Sequence, residues 1–338
     1  MPTLRLFLKA LRLLAFSVSI PLLLLCASAA WLPSYWWIEC LRAFTFHSGL
    51  LLLISGFLLF ASSLLVARLS VGTLAVFLAC VFAVPPIFSA VEAQSPWIPG
   101  YTIIHPKLKL TEDTPQVRFI QHNVLKSRKN YDGVVKLLQK QDADLVALEE
   151  INKPGFVRLR TDPILRAKYP SFAGGWQSGQ CLLSRWPIQY SKTIIDKHFP
   201  ILHVHVRTHQ GLNLTVIVMH PPHPTSPFLM RRQREMFDLI SADRDMRFPD
   251  PLLVAGDLND TPYNASYQTF LKKARLRDPL KTMGLITTWP SFLPPWLRIP
   301  IDHTLYSADL KVSEQHLLPN TGSDHLPIYT VFYQPRVK

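Results

Sequence analysis

The chain has 338 residues, is 48% hydrophobic and 17% charged, and carries a formal net charge of +13. That length holds two ordinary domains, or one large domain with an appendage. Three of the four cysteines (Cys26, Cys40 and Cys80) lie in the first 92 residues. Cys181 alone therefore excludes an internal disulfide in the remainder, and the absence of a CxxC pair argues against a cysteine zinc site.

The charge is unevenly spread. Residues 13–38, 43–67 and 69–91 contain no Asp, Glu, Lys or Arg, and each run is long enough to cross a bilayer as a helix apolar on all sides. The expectation is a transmembrane region over 1–92, with three helices. Arg5, Lys9 and Arg12 precede the first run, which predicts a cytoplasmic N-terminus. Ala27-Ser28-Ala29 offers a signal-peptide alternative, but the apolar run continues through Trp31, Trp36 and Trp37, favouring an uncleaved anchor. Either way the rest of the chain is expected outside the cytoplasm, with Arg68 on the cytoplasmic side.

Residues 93–116 read as a linker broken by Pro96, Pro99, Pro106 and Pro115. A βα rhythm follows over 117–338. Val117–Val124 predicts a strand, and 131–141 an amphipathic helix with Val134, Val135, Leu137 and Leu138 on its apolar side. Strands are predicted at Leu145–Leu148, Cys181–Ser184, Ile201–Val206, Leu212–Met219 and Leu252–Ala255, around Leu305, and at Ile328–Phe332, with a helix over 229–241. Strands outnumber helices, which suits an α+β sandwich of two sheets with helices outside. Residues 288–300 hold four prolines, two tryptophans and Phe292, and predict an irregular loop.

Polar groups gather where predicted strands end: Asn123, Glu150, His220, Gly256-Asp257-Leu258-Asn259, Asp302-His303 and Ser323-Asp324-His325. Carboxylate and amide oxygens suit a hard cation such as Mg²⁺. Hydrolysis of a phosphate ester needs charge neutralisation, an activated water and preorganised donors. Glu150 can bind a cation, Asp257 can orient or deprotonate water, and Asn259 can donate to phosphate. His325 can contact a phosphoryl oxygen or relay a proton, with Asp302 fixing its tautomer.

These motifs resemble, in order, the endonuclease/exonuclease/phosphatase superfamily: Gln121-His122-Asn123, Glu149-Glu150, Leu183-Ser184-Arg185, His220, Gly256-Asp257-Leu258-Asn259, Thr288-Trp289, Ile301-Asp302-His303 and Ser323-Asp324-His325-Leu326-Pro327. The resemblance implies a four-layer αββα sandwich with two mixed β-sheets and one site at the end of both. It implies Asn123, Glu150 and Asp324 around Mg²⁺ or Mn²⁺, Asp257 and Asn259 on the water and phosphate, His220 and His325 flanking the phosphate, and Asp302 behind His325. Two positions depart from the family pattern. Glu149 replaces glutamine and is expected to add a charge beside the metal, while Leu258 replaces phenylalanine and is expected to affect packing alone.

The expected activity is hydrolysis of phosphodiester bonds of nucleic acid, with phospholipid or sphingolipid head groups as the alternative substrate. The net +10 after residue 100 and the run Lys272-Lys273-Ala274-Arg275-Leu276-Arg277, placed on a helix, favour nucleic acid. The anchor and the 288–300 aromatics favour a lipid, if those rings face a bilayer rather than packing inward. A catalytically silent tethered module is a third reading, disfavoured because no site residue is missing. No protein partner is legible.

Overall fold

The computed structural model describes residues 2–31, 35–65, 74, 76–77, 80, 114–196, 199–242, 244–249 and 251–335. The third apolar run, 69–91, and the linker fall almost wholly outside the described residues.

The N-terminal unit contains α1 (Pro2–Trp31), α2 (Trp36–Arg42) and α3 (Thr45–Leu65). The first helix starts well before the predicted residue 13, because Leu, Lys and Arg are all good helix formers. Charge marks where a bilayer would end, not where a helix must. The first apolar run also divides, with 36–38 belonging to α2. Leu6–Leu24 and His47–Leu64 are long and apolar enough to cross a membrane. Leu13, Leu14 and Phe57 face outward, whereas polar groups turn inward: Ser19 Oγ donates to Ser55 Oγ at 2.9 Å, and Ser55 Oγ to Leu52 O at 3.1 Å. Helices that hide hydroxyls and present leucine outward suit an apolar surround.

The larger unit runs β1 (Gln116–Asn123), α4 (Asp132–Lys140), β2 (Leu145–Glu149), α5 (Lys153–Thr161), α6 (Pro163–Lys168), β3 (Ser171–Gly175), β4 (Gln180–Ser184), β5 (Ile188–Asp196), β6 (Phe199–Arg207) and β7 (Asn213–Met219). It continues with α7 (Pro227–Ala242), α8 (Arg244–Arg247), β8 (Leu252–Asp257), α9 (Ala265–Lys273), β9 (Leu276–Arg277), α10 (Leu280–Met283), β10 (Asp302–Ser307), β11 (Lys311–Leu317) and β12 (Ile328–Tyr333).

Two six-stranded sheets result, ordered β11-β12-β1-β2-β4-β3 and β5-β6-β7-β8-β10-β9. Both are mixed. β1 runs parallel to β2, and β7 parallel to β8, while the other pairings are antiparallel.

Alternation along the strands builds the layers. Val117 and Phe119 of β1 point into the core between the sheets with Val216, Val218, Leu253 and Ala255. Ile120, on the opposite face of β1, packs outward against Val134, Val135 and Leu138 of α4. Ile217, Met219, Leu252 and Val254 pack outward against Met236 and Phe237 of α7 and Phe270 of α9. Three apolar layers between four structural ones give the αββα sandwich, and explain why β7 and β8 read as nearly unbroken apolar runs.

The basic run 272–277 is not one helix face. α9 ends at Lys273, Arg275 turns to φ +53°, and Leu276–Arg277 become an edge strand paired to Tyr306 and Ser307. The 288–300 loop is irregular apart from a single 3₁₀ turn, Pro295–Leu297, and one bridge between Trp289 and Ile299. Its aromatics divide. Trp289 turns inward, while Phe292 (77% exposed) and Trp296 (53%) stand out with Leu297.

Candidate active site

Strand order brings the polar strand ends together. Parallel pairing sets Asn123 of β1 opposite Glu149 of β2, and antiparallel pairing sets Asp302 of β10 opposite Asp257 of β8. Gly256 makes the turn into Asp257 feasible. Its φ is +149°, and a Cβ there would lie 1.9 Å from Met219 O.

A closed ring of contacts follows. Asn123 Nδ2 donates to Glu150 Oε1 and to Asp257 Oδ2, both at 3.1 Å. Asp257 Oδ2 lies 3.5 Å from His220 Nε2 and 3.6 Å from His325 Nε2, and His220 Nε2 lies 3.9 Å from Glu150 Oε1. His325 Nδ1 donates to Asp302 Oδ2 at 2.8 Å. Six of the eight residues expected at the site therefore meet in one constellation drawn from both sheets.

The other two are placed differently. Asp324 Oδ2 accepts from Trp289 Nε1 at 3.2 Å, and Oδ1 is buried without a hydrogen-bond partner among the described residues. Its neighbour Ser323 donates to Asn123 O at 2.8 Å, tying this loop to the end of β1. Asn259 does not present a free amide. Its Nδ2 donates to Pro221 O at 2.9 Å, and its Oδ1 accepts from His223 Nδ1.

Electrostatics divides the carboxylates. Burial pushes the Asp257 carboxyl upward, and the facing Asp302 adds to this against the pull of His325 and His220. Burial acts the same way on Asp302, but His325 and the hydrogen bonds from His325, Thr288 and Gln121 outweigh it and hold Asp302 at about 2. His325 is opposed by burial yet raised to about 10 by Asp302 and Asp257, so it is an imidazolium at neutral pH. Glu150 is likewise opposed by burial, but hydrogen bonds from Lys126 N and Asn123 Nδ2 keep its carboxyl below the ordinary value.

Burial works against the charge expected of Glu149. The side chain is fully buried, and desolvation together with Asp302 raises its carboxyl well above the usual range. Burial thus favours the protonated form, whose shape and acceptor match those of glutamine. Its Oε2 accepts from Gln121 Nε2 at 2.9 Å, and the same Nε2 reaches across to Asp302 Oδ1 at 2.9 Å. Leu258 is buried in the core beneath α7, as a packing residue should be.

Several supporting residues were not assigned from sequence. Gln121 shares the face of Asn123 by period two, so alternation was a usable signal. Thr288 Oγ1 donates to Asp302 Oδ2. Gln233 Nε2 donates to both Leu258 O (3.0 Å) and Asn259 O (2.9 Å), pinning the turn after β8 from α7. No linear motif announces that contact. Leu125, Glu150 and Asn259 all adopt positive φ, a costly backbone state for non-glycine residues that clusters at functional sites.

The sequence model of the Endonuclease/Exonuclease/phosphatase family matches residues 120–325. The chain belongs to this family. Its members are generally hydrolases of phosphoester bonds and use divalent metals. No curated protein matches the chain. Among solved structures, the fold is similar to an endonuclease/exonuclease/phosphatase family protein from Bacteroides thetaiotaomicron, at 16% identity over 66% of this chain and 99% of that one, TM-score 0.54. It is similar to one from Beutenbergia cavernae, at 18% identity over 65% and 72%, TM-score 0.52. It also resembles truncated TDP2 from Caenorhabditis elegans, at 15% identity over 64% and 98%, TM-score 0.51. At such identities the likeness is one of fold.

The residues present fit a divalent cation. Glu150 is partly open with its carboxyl held below the ordinary value, and Asp324 Oδ1 is buried without a hydrogen-bond partner among the described residues, while Asn123 meets Glu150 through Nδ2 and its Oδ1 accepts from Leu125 N at 3.0 Å. This all-oxygen set suits a hard ion. Asp257, Asp302 and His325 also bring ligand atoms within 4.8 Å of one another. Asp302, however, already accepts from Gln121, Thr288 and His325, so it is better suited to holding the histidine than a metal.

Proposed function

We propose that the chain is a membrane-anchored, divalent-metal-dependent phosphoesterase. The observation that carries this reading is the closed ring of Asn123, Glu150, His220 and Asp257, with His325 set against Asp257 and Asp302 behind it. Glu150 and Asn123, with Asp324, would hold the cation, Mg²⁺ by donor type and Mn²⁺ as a substitute. When bound, it would neutralise charge on the phosphoryl oxygens. Asp257, raised by burial, accepts a proton from the attacking water. The His325 imidazolium, held by Asp302, donates from Nε2 to a phosphoryl oxygen as charge develops. His220 steadies the phosphate from the opposite side.

The observation favouring a substrate is the exposed Phe292, Trp296 and Leu297 beside the site. Ser291 N donates to Asp324 O at 2.7 Å, so this loop is fastened to the Asp324–His325 segment. Three apolar side chains in water at a site rim suit a bilayer interface. The feature that favoured nucleic acid lies elsewhere. Arg277 pairs with Tyr306, four residues along β10 from Asp302, or about 13 Å at strand spacing. We therefore rank a phosphodiester in a lipid head group first and nucleic acid second. The basic start of α1 and the uncharged run 69–91 support a multi-pass anchor with the catalytic unit outside the cytoplasm.

The test uses the full chain in detergent micelles with Mg²⁺, assayed on mixed micelles of phospholipid or sphingomyelin and on plasmid DNA. Asp257→Ala and His325→Ala should each lower hydrolysis by about 10²–10⁴-fold, the range for general acid–base groups, with unchanged near-ultraviolet circular dichroism. Near-normal turnover in either variant overturns the assignment. Cleaved DNA with intact lipid reverses the ranking of substrates.

A further inference from the structure

A second concavity lies at the far end of the sandwich. It has a volume of about 530 Å³ and is lined by Lys272, Arg277, Lys281, Lys311, Tyr306 and Tyr333, among others. These residues come from separate places in the chain. Lys311 and Tyr333 face each other across β11 and β12 of one sheet, and Arg277 and Tyr306 across β9 and β10 of the other. Lys272 closes α9, and Lys281 sits on α10. The cavity is thus the mouth between the two sheets, at the end opposite Asp302.

All four cations are exposed, and among the described residues none makes an ion pair. Several other basic residues of this unit are paired. Arg118 and Arg185 bridge Asp142 and Asp144, Arg158 bridges Asp132 and Asp162, and Lys273, adjacent to Lys272, meets Asp238 at 2.9 Å. The helix C-terminus accounts for a lysine at 272, but not for Arg277, Lys281 or Lys311. The one acid in the lining, Asp278, is buried and occupied. It accepts from the Tyr267 hydroxyl and from Leu280 N, and forms no ion pair with any of the four cations among the described residues. Like charges held around a low-dielectric recess focus a positive potential into it. The volume suits a small molecule, and the tyrosine hydroxyls add donors.

We propose that this cavity is an anion site, separate from the catalytic centre, for a soluble ligand carrying two or more phosphate groups. It stands independently of the phosphoesterase reading. Three or more unpaired cations in one recess exceed what a single phosphate needs, and a recess fits a discrete ligand better than an extended surface.

The full-length protein in detergent micelles with EDTA is titrated with sodium tripolyphosphate by calorimetry. Wild type and His325→Ala should bind with the same affinity. The double variant Lys281→Ala/Lys311→Ala should bind at least about tenfold more weakly for each lysine removed, as loss of a charge-assisted contact implies, with an unchanged melting temperature and unchanged basal hydrolysis. Raising the salt should weaken binding to the wild type. No binding to the wild type overturns the proposal. So does loss of binding in His325→Ala, which would place the ligand in the catalytic centre, or retention in the double variant. An oligodeoxynucleotide that binds through these lysines when tripolyphosphate does not would also overturn it, and would make the cavity a nucleic-acid track.

Discussion

Glu149→Gln isolates the effect of a buried acid at constant shape. The wild-type side chain is fully buried, accepts one hydrogen bond from Gln121 through Oε2, and leaves Oε1 without a partner among the described residues. Glutamine keeps the acceptor and replaces the acid hydroxyl by an amide N–H, so the two proteins should be nearly equal in stability where Glu149 is protonated in both states. The raised folded-state pKa fixes the sign. Below the ordinary carboxyl value near 4.5, folded and unfolded chains both hold the proton and the variant gains nothing. Above it, unfolding of the wild type releases a proton that the folded state retains. Wild-type stability then falls relative to the variant by about 1.4 kcal/mol per pH unit, until Glu149 ionises in the folded state. The assay is urea unfolding of both full-length proteins in detergent micelles with EDTA at successive pH values, followed by tryptophan fluorescence. The buried Trp186 in the inter-sheet core reports on the catalytic unit. A stability difference that does not change with pH, or a wild type that gains on the variant as pH rises, would refute the neutral-acid reading. Hydrolysis by Glu149→Gln should stay close to wild type, since the amide keeps the side chain's shape and the acceptor that meets Gln121.

The Asp302–His325 pair should shape stability at both pH extremes. The raised His325 contributes stability fully present below about 6.5 and lost as pH rises through about 10. The depressed Asp302 contributes stability present above about 3.8 and lost as pH falls through about 2. Melting temperatures of wild type and His325→Ala across pH should converge in the alkaline limit, and parallel curves would contradict this. Gly256→Ala should destabilise by several kcal/mol, because its Cβ would meet Met219 O at 1.9 Å and its φ is +149°; a melting temperature near wild type would show that the end of β8 can relax. Phe292→Ser/Trp296→Ser should leave stability within about 0.5 kcal/mol, as exposed sites do, while lowering hydrolysis of micellar lipid but not of a soluble phosphodiester. An equal effect on both substrates would remove the loop from lipid access. A reporter fused after Lys338 should be active only outside the cytoplasm, and cytoplasmic activity would overturn the proposed topology.

What the sequence could declare depended on where each strand lies in its sheet. All eight interior strands (β12, β1, β2 and β4 in one sheet, β6, β7, β8 and β10 in the other) were legible, most of them from apolar runs that burial on both faces demands, and β6 from its alternation. The four edge strands, β11, β3, β5 and β9, were not. Half-exposed stretches such as Lys311–Leu317 carry polar residues that read equally well as loop. The motif residues were legible as well, since chemistry restricts which side chains can end those strands. Tertiary structure decided what each side chain does there. It brought Asp302 and Asp257 face to face across 45 residues of chain, turned the Asn259 amide toward Pro221, and sent Phe292 and Trp296 outward while Trp289 reached Asp324. It raised the Glu149 carboxyl by burial and moved the basic run to the far end of the sandwich. Protonation state and orientation depend on desolvation and on neighbours distant in sequence, and a linear pattern carries neither.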